Sequence, residues 1–444
     1  MRLFKKSVIH QRGVMQKEYD VIVAGTGTGG STVAREMTRR GKKVLLLEAG
    51  GRWEWMGSTM TIAMILKHCG LVRSREGRTV TFADNYGGLS NLAGGCAAPP
   101  PKSVFDPVGI DLAEEAGEAK KDLWIQKQPD ELVGRENLRL VEVANSLGYH
   151  WGKMDKFVDP KRCRASGDCM LGCRTGAKWT ARVYGDEAVS QGADLHLHTR
   201  ITEVIVENNR VVGVKGTRRG VPVKYFGKFV VLSTGIDNAH ILRRAGISRA
   251  GKGFCCDWLQ FVGAEIPGMN TVGATPMSVG SLEFYESDGI AIIPVFPNWS
   301  MYAATLAMAG PKSLLNFPRF WKLSGIMVKV RDETAGELFQ GVSFSKKVSE
   351  ADRMKLDKGV DIIKKVFRKA GAKDSTILPL NPQGAHPSAT CRIGDVVDRN
   401  LETEIDHLYC CDASVLPSSL GLPVMWTVVA LGKRLGGHLA ARIG

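Results

Sequence analysis

Several groups of residues in this 444-residue chain have the types and spacing to do chemistry. A histidine opens His386-Pro-Ser-Ala-Thr-Cys-Arg-Ile-Gly394, and an imidazole titrates close enough to neutrality to take a proton from a hydroxyl. Glycines 25, 27 and 30 follow the β-rich run Tyr19–Ala24, and Glu48 ends a second apolar run, Lys43–Leu47. Cys163, Cys169 and Cys173 stand with five and then three residues between them. Leu408-Tyr-Cys-Cys-Asp412-Ala413-Ser414 places a carboxylate at the end of a short apolar run.

The elements that must position these groups are legible first around the glycines. Strand, tight turn, helix and second strand follow one another. Gly25 permits the turn, Gly27 lets backbone approach a pyrophosphate, and Gly30 allows the helix to pack on the strand. The helix, expected over Ser31–Arg40, aims its free N–H groups and positive dipole end at the phosphates. Glu48, at the tip of the second strand, is placed to accept hydrogen bonds from ribose hydroxyls. The block predicts a dinucleotide site; a glycine-rich turn in an unrelated α/β domain is the plainer alternative.

Composition sets the frame. The chain is long enough for two domains, and its 44% hydrophobic and 24% charged content is ordinary for a globular protein. No apolar run reaches the roughly 18 residues that would cross a bilayer. The basic start Met1–Lys6 lacks an apolar run and a small-residue cleavage site, so no secretory leader is expected. The ten cysteines are then not a disulfide framework, and the cytoplasm is the expected compartment. Net charge is +15 with Lys and Arg scattered. That suits an anionic substrate, an acidic redox partner or an anionic membrane surface, or is simply a solvated basic surface. No nucleic-acid motif accompanies it, and no nucleic acid is expected as a partner.

Between the two ends, Trp53–Gly70 has a helical pattern, and Asn85–Gly95 is an uncharged glycine-rich loop suited to lying against a planar ligand. Amphipathic helices are expected over 130–148 and 176–193. Ile201–Glu207 and Val211–Lys215 read as strands around an Asn208-Asn209 turn, followed by Val221–Tyr225, a buried strand Phe229–Ser233, and a helix Asn238–Ala245. Residues 251–384 are aromatic, methionine-containing and broken by Gly and Pro. Their stretch Ile292–Met327 reads as core, as an apolar substrate cavity, or as a membrane-contacting surface.

These blocks together resemble the glucose–methanol–choline (GMC) oxidoreductases, a family of FAD enzymes. The resemblance rests on Gly25–Glu48, Gly87–Gly95, Val230–Gly235 and most of 384–442: His386-Pro-x-x-Thr-Cys-Arg-Ile-Gly394, Val397-Asp398, Leu408–Ser414 and a final helix Val424–Arg442. It implies an α/β fold with a discontinuous, Rossmann-like FAD-binding domain (18–105, 185–250, 385–444). It also implies a linker region with the cysteines (106–184) and an inserted α+β substrate domain (251–384). It implies FAD contacts at Gly25, Gly27, Thr28, Gly29, Gly30, Glu48, Gly88, Asn91, Val204, Asp412, Ala413 and Val424, with His386 as the base in alcohol oxidation. Hydride would pass to flavin N5 and electrons to a non-oxygen acceptor, such as a redox protein or quinone. A flavin-dependent reductase or desaturase, or an electron-transfer subunit, is the alternative on the same fold.

Three departures stand out. The family places a second His or Asn just ahead of the last helix, where this chain has Pro423-Val424. Ala389 replaces a usual glycine, and the chain is short for the family. The cysteine run is similar to that of bacterial FAD-dependent glucose and fructose dehydrogenases, where it carries an iron–sulfur cluster. Cys163, Cys169 and Cys173 are thus candidate ligands of such a cluster; buried structural thiols, a zinc site or a disulfide are the other readings.

Overall fold

A run that is apolar on both faces belongs inside a parallel sheet, and Glu18–Ala24 (β1) lies there. The computed structural model describes residues 18–443 apart from 55, 59, 62–64, 66–70, 270–274, 296–297, 309–310 and 342. Helix α1 (Thr28–Arg39) starts one turn ahead of the expected Ser31, directly on the glycine turn. It returns the chain to β2 (Val44–Leu47), parallel to β1. Much of the expected Trp53–Gly70 helix lies outside the described residues. After α2 (Ala113–Asp122), the helix expected over 130–148 is broken at Gly134, whose φ of 86° separates Asp130–Val133 from Arg135–Ser146. Helix α3 (Ala181–Ser190) packs against α1.

Strand β3 (Asp194–His196) extends the sheet beyond β2. Next come β4 (Thr199–Glu207), β5 (Arg210–Arg218) and β6 (Val221–Leu232), an antiparallel meander whose last strand lies parallel to β1. Asn208 and Asn209 have φ of 49° and 59°, the two positive values that a tight hairpin turn needs. The two short runs expected after it are one 12-residue strand, β6. Helix α4 (Asp237–Arg244) follows.

A second sheet is built from β7 (Trp258–Glu265), β8 (Ile290–Pro294) and β9 (Leu323–Val330), in the order β8-β9-β7, with Leu378–Pro379 and Gln383–Gly384 added to β7. Helix α5 (Glu350–Lys369), started by a Ser349–Asp352 capping box, covers one face of it. Gly359 marks that face, because a Cβ there would meet Val328 at 2.2 Å. Residues directly opposite across strands share a face. Leu259, Lys329 and Ala291, and likewise Phe261, Met327 and Ile293, therefore occupy the face turned from α5.

The chain then returns to the first sheet. Strand β10 (Leu408–Cys410) pairs with β6, and α6 (Met425–Ile443) packs along α1. Buried charges fasten this closure: Arg35 of α1 reaches Glu187 at 2.7 Å and Asp122 at 2.9 Å, and Lys433 of α6 meets Asp122 at 2.9 Å. Removing one member of such a buried set typically costs about 3–5 kcal/mol. Among the described residues no helix is long and apolar enough to cross a membrane.

Candidate active site

The glycine turn forms a cradle. A Cβ on Gly25 would strike the Ser233 carbonyl at 2.0 Å, on Gly29 the Cys411 carbonyl at 1.8 Å, and on Gly30 the Gly25 carbonyl at 2.0 Å. These three glycines are demanded by packing. Gly27 differs: a Cβ there meets nothing within 4 Å. No side chain caps the start of α1, so its first N–H groups face that space. Gly88 closes over the turn, its Cβ direction ending 3.1 Å from the Gly27 Cα. The open volume above Gly27, ringed by free amides, is what a pyrophosphate needs.

Glu48 stands behind the cradle, buried, accepting from the Thr26 hydroxyl at 2.5 Å and the Gly50 amide at 2.8 Å. Burial lifts its carboxyl above the ordinary value while these hydrogen bonds oppose the lift. Thr26 Oγ1 in turn accepts from the Gly87 amide at 3.0 Å, which ties the loop 85–95 to the turn. Asn91 also serves that loop, donating to Asn85 Oδ1 and the Tyr86 carbonyl rather than pointing outward. Asp412, buried, accepts from the Gly235 amide at 2.7 Å, Asn238 Nδ2 at 3.0 Å and the Ser414 amide at 2.8 Å. It locks the end of β6 to the end of β10, next to Gly29. Thr28 opens α1, Ala413 accepts from the Ala389 amide, and Val424 accepts from the Val428 amide at the start of α6. Val204 is not brought to the cradle. It pairs with Val214 along β4, and it is Thr199, at the start of that strand, that donates to the Glu48 carbonyl at 2.7 Å. Two buried polar atoms beside these elements have no protein partner: Asn85 Nδ2 in the loop and Thr427 Oγ1 in the first turn of α6. A dinucleotide with a polar ring edge fits such a site.

His386 is held from behind by a buried ion pair. Its Nδ1 lies 2.8 Å from Asp257 Oδ2 and 2.7 Å from Lys329 Nζ, and Asp257 and Lys329 are themselves 3.0 Å apart. Lys329 also donates to the Leu422 carbonyl at 2.9 Å, while Asp257 Oδ1 accepts from Ser419 Oγ at 2.6 Å and the Gly421 amide at 3.0 Å. The carboxylate and ammonium are almost fully buried, yet 31% of the His386 side chain remains accessible. A second pair supports the first: Asp332, 2.8 Å from Lys346, accepts from the Asp257 amide at 2.9 Å. Asp257 sits at φ 49°, a strained value for a residue with a Cβ. Ala389, at φ 63° where the family has glycine, bears a similar penalty of about 1–2 kcal/mol.

Electrostatics follow from this packing. Burial would raise Asp257, but the Lys329 ammonium and the His386 and Ser419 hydrogen bonds outweigh it and hold the carboxyl well below the usual range. Burial lowers Lys329 against the pull of Asp257. Burial, then the Lys329 ammonium, lowers His386 against its hydrogen bond to Asp257, so the imidazole is neutral near pH 7. Asp257 and Lys329 belong to no motif. The only trace of Lys329 in sequence is one charged residue inside the apolar run Gly325–Val330.

The three cysteines face a common cavity of about 260 Å³, also lined by Asp168, Arg174 and Lys178. They are free thiols, as are the other described cysteines. Among the described residues no three His, Cys, Asp or Glu side chains stand where they would hold a single metal ion. Cys173 is below the ordinary thiol value: burial pushes it up, but hydrogen bonds from Thr175 and the Lys178 amide prevail. Lys178, driven down to about 8 by burial, donates to the carbonyls of Asn91, Ala93 and Cys169 and so joins the cysteine segment to the loop 85–95.

Comparison with known proteins agrees with this geometry. Residues 66–271 and 337–432 match the N-terminal and C-terminal sequence models described as GMC oxidoreductase. An uncharacterized protein of Methanocaldococcus jannaschii is 25% identical over 432 residues, covering 94% of this chain and 98% of the relative. A long-chain-alcohol oxidase of Arabidopsis thaliana is 23% identical, over 95% of this chain and 68% of its own. Among solved structures, a formate oxidase of Aspergillus oryzae superposes with TM-score 0.74 at 14% identity, over 96% of this chain and 99% of that one. The cradle, the histidine and both matched regions make this chain a member of the GMC oxidoreductase family.

Proposed function

We propose that the protein oxidises the CH–OH group of a lipophilic alcohol, with FAD as cofactor and His386 as base. The observation that carries this reading is an imidazole held at Nδ1 by a buried ion pair, with 31% of its side chain accessible. Gly25, Gly27, Gly30, the start of α1 and Glu48 would hold the pyrophosphate and ribose. Bound FAD supplies the acceptor for a hydride from the carbinol carbon. With Nδ1–H donated to Asp257 Oδ2, and the Lys329 ammonium donating to Asp257 and the Leu422 carbonyl rather than to the ring, Nε2 would be left to take the hydroxyl proton. Asp257 then stabilises the imidazolium, and Lys329 keeps Asp257 charged and fixed between β9 and the loop before α6. Leu259, Phe261, Ile293 and Met327, on the face that bears Lys329, offer an apolar wall for an alkyl chain. An electron-transfer subunit with no substrate of its own would have no use for an imidazole oriented in this way.

A second reading concerns the cysteines. Lys156 and Lys178 are buried beside Cys169, and among the described residues neither meets a carboxylate. Negative charge in the adjacent cavity would relieve them. Cys163, Cys169 and Cys173, as thiolates, would hold an iron–sulfur cluster there, a one-electron outlet that fits a non-oxygen acceptor.

Gly27→Val should fold like the wild type, since its side chain meets only open space, yet lose most bound flavin absorbance. Gly29→Ala, which collides with the Cys411 carbonyl, should lower the melting temperature as well; wild-type flavin retention in Gly27→Val would contradict the cradle. His386→Ala should keep FAD and slow anaerobic flavin reduction by an alcohol about 10²–10⁴-fold. In the wild type the rate should rise with pH and level off by about 6.5, the ordinary histidine value, because the base is depressed below it; a rate still climbing above that pH would remove His386 from the role. Anaerobically purified protein should contain iron and acid-labile sulfide, both lost in Cys169→Ser. Iron-free protein with undiminished flavin reduction would leave the cysteines as structural thiols.

A further inference from the structure

Between β8 and β9 the chain leaves the second sheet as a helical hairpin, Trp299–Met308 followed by the 3₁₀ segment Pro311–Lys322. Its inner side is aromatic: Tyr302, Phe317 and Phe320 have ring centroids 5.6–6.5 Å apart, and only Phe320 of the three is fully buried. The outer side is unusual. Trp299, Leu314, Leu315 and Trp321 are 49%, 44%, 83% and 52% exposed. Elsewhere exposed apolar side chains come singly, as at Val221 and Met354, or in pairs, such as Val183 and Val189 on α3, whereas here four share one projection.

The charge carried by the hairpin's own residues has one sign. No Asp or Glu occurs between Asp288 and Asp332. Lys312 and Lys322 are exposed beside the apolar side chains, on a chain of net charge +15. Tryptophans and leucines flanked by lysines suit the boundary between headgroups and acyl chains, and the lysines suit anionic headgroups. The hairpin is also anchored as a docking element should be: Arg319 pairs with Glu265 at 2.6 Å, and Asn298 donates to Asp168 at 2.5 Å.

We infer that this hairpin docks the protein onto a bilayer surface containing anionic lipid. Its base lies near the site. The Pro294 carbonyl, at the foot of the hairpin, accepts from the Met277 amide at 3.0 Å, and Met277 Sδ lies 2.4 Å from where a Cβ on Gly94 of the loop 85–95 would be. The strand leaving the hairpin carries Met327 and Lys329. An alcohol dissolved in the bilayer would thus enter close to the apolar wall; that consequence alone rests on the proposed chemistry, and the docking does not.

Co-sedimentation with phosphatidylcholine vesicles, with and without phosphatidylglycerol, tests the inference without any turnover. The wild-type holoprotein should sediment with the anionic vesicles and be released as salt rises. A Leu315→Asp/Trp321→Asp variant should partition at least about tenfold less. Both side chains are exposed, so its circular dichroism and flavin content should match the wild type. Lys312→Glu should weaken binding to anionic vesicles only. Wild-type protein left in the supernatant at low salt, or a double variant that sediments equally, would overturn the inference. So would a variant whose only change is loss of a dimer in solution, since the face would then belong to a second copy of the chain.

Discussion

The buried pair Asp257–Lys329 is the interaction on which the rest of the site depends. It joins the first residue before β7, a residue of β9, the histidine loop and the turn before α6, four segments far apart in sequence. A buried ion pair is rarely worth much as net stability, because desolvation offsets attraction, but breaking one leaves an uncompensated charge. Its value here is positional. The carboxylate fixes one edge of the imidazole, and the ammonium opposes protonation of that imidazole while keeping the carboxylate ionised. One pair thus sets both where the imidazole is and what charge it carries.

The same logic explains the missing polar residue at Pro423-Val424. A proline there has no side-chain group to offer, but the carbonyl of Leu422, just before it, is held by Lys329. The ammonium reaches the space behind His386 from the second sheet instead of from the last helix. The cradle is arranged on a similar principle of convergence. Glycines at 25, 29 and 30 let β6, β10 and α1 meet backbone to backbone, and only Gly27 is left facing open volume. The closing charges at Arg35 and Lys433 hold α6 against α1, so the two ends of the chain frame one site.

The sequence disclosed what is local. The glycine turn, the Asn208-Asn209 hairpin and the last helix follow from short-range rules, and the structure has them where those rules put them. Boundaries slipped where a single residue intervened, as at Gly134, or where a glycine could be carried within a strand, as at Gly227 in β6. His386 was visible because its motif is contiguous. Asp257 and Lys329 were not, because their partnership exists only across the antiparallel register that sets Lys329 against Leu259. Val204 shows the converse: choosing a residue by its place along a strand does not tell which end of the strand reaches Glu48. The role of Ile292–Met327 was divided in the same way. Its strands are core, and the hairpin between them turns tryptophan and leucine outward.

The central claim is that Asp257 holds the His386 proton on Nδ1 while the charge of Lys329 keeps the imidazole neutral. Nitrogen NMR of the ¹⁵N-histidine holoprotein reports tautomer and charge together, with His386→Gln identifying the signal. The account predicts a neutral Nδ1–H imidazole at pH 6.5, titrating below the ordinary histidine value. In Lys329→Met, where Asp257 is left without its counter-charge, that titration should move upward. An imidazolium at pH 6.5, an Nε2–H tautomer, or a titration unmoved by Lys329→Met would contradict it.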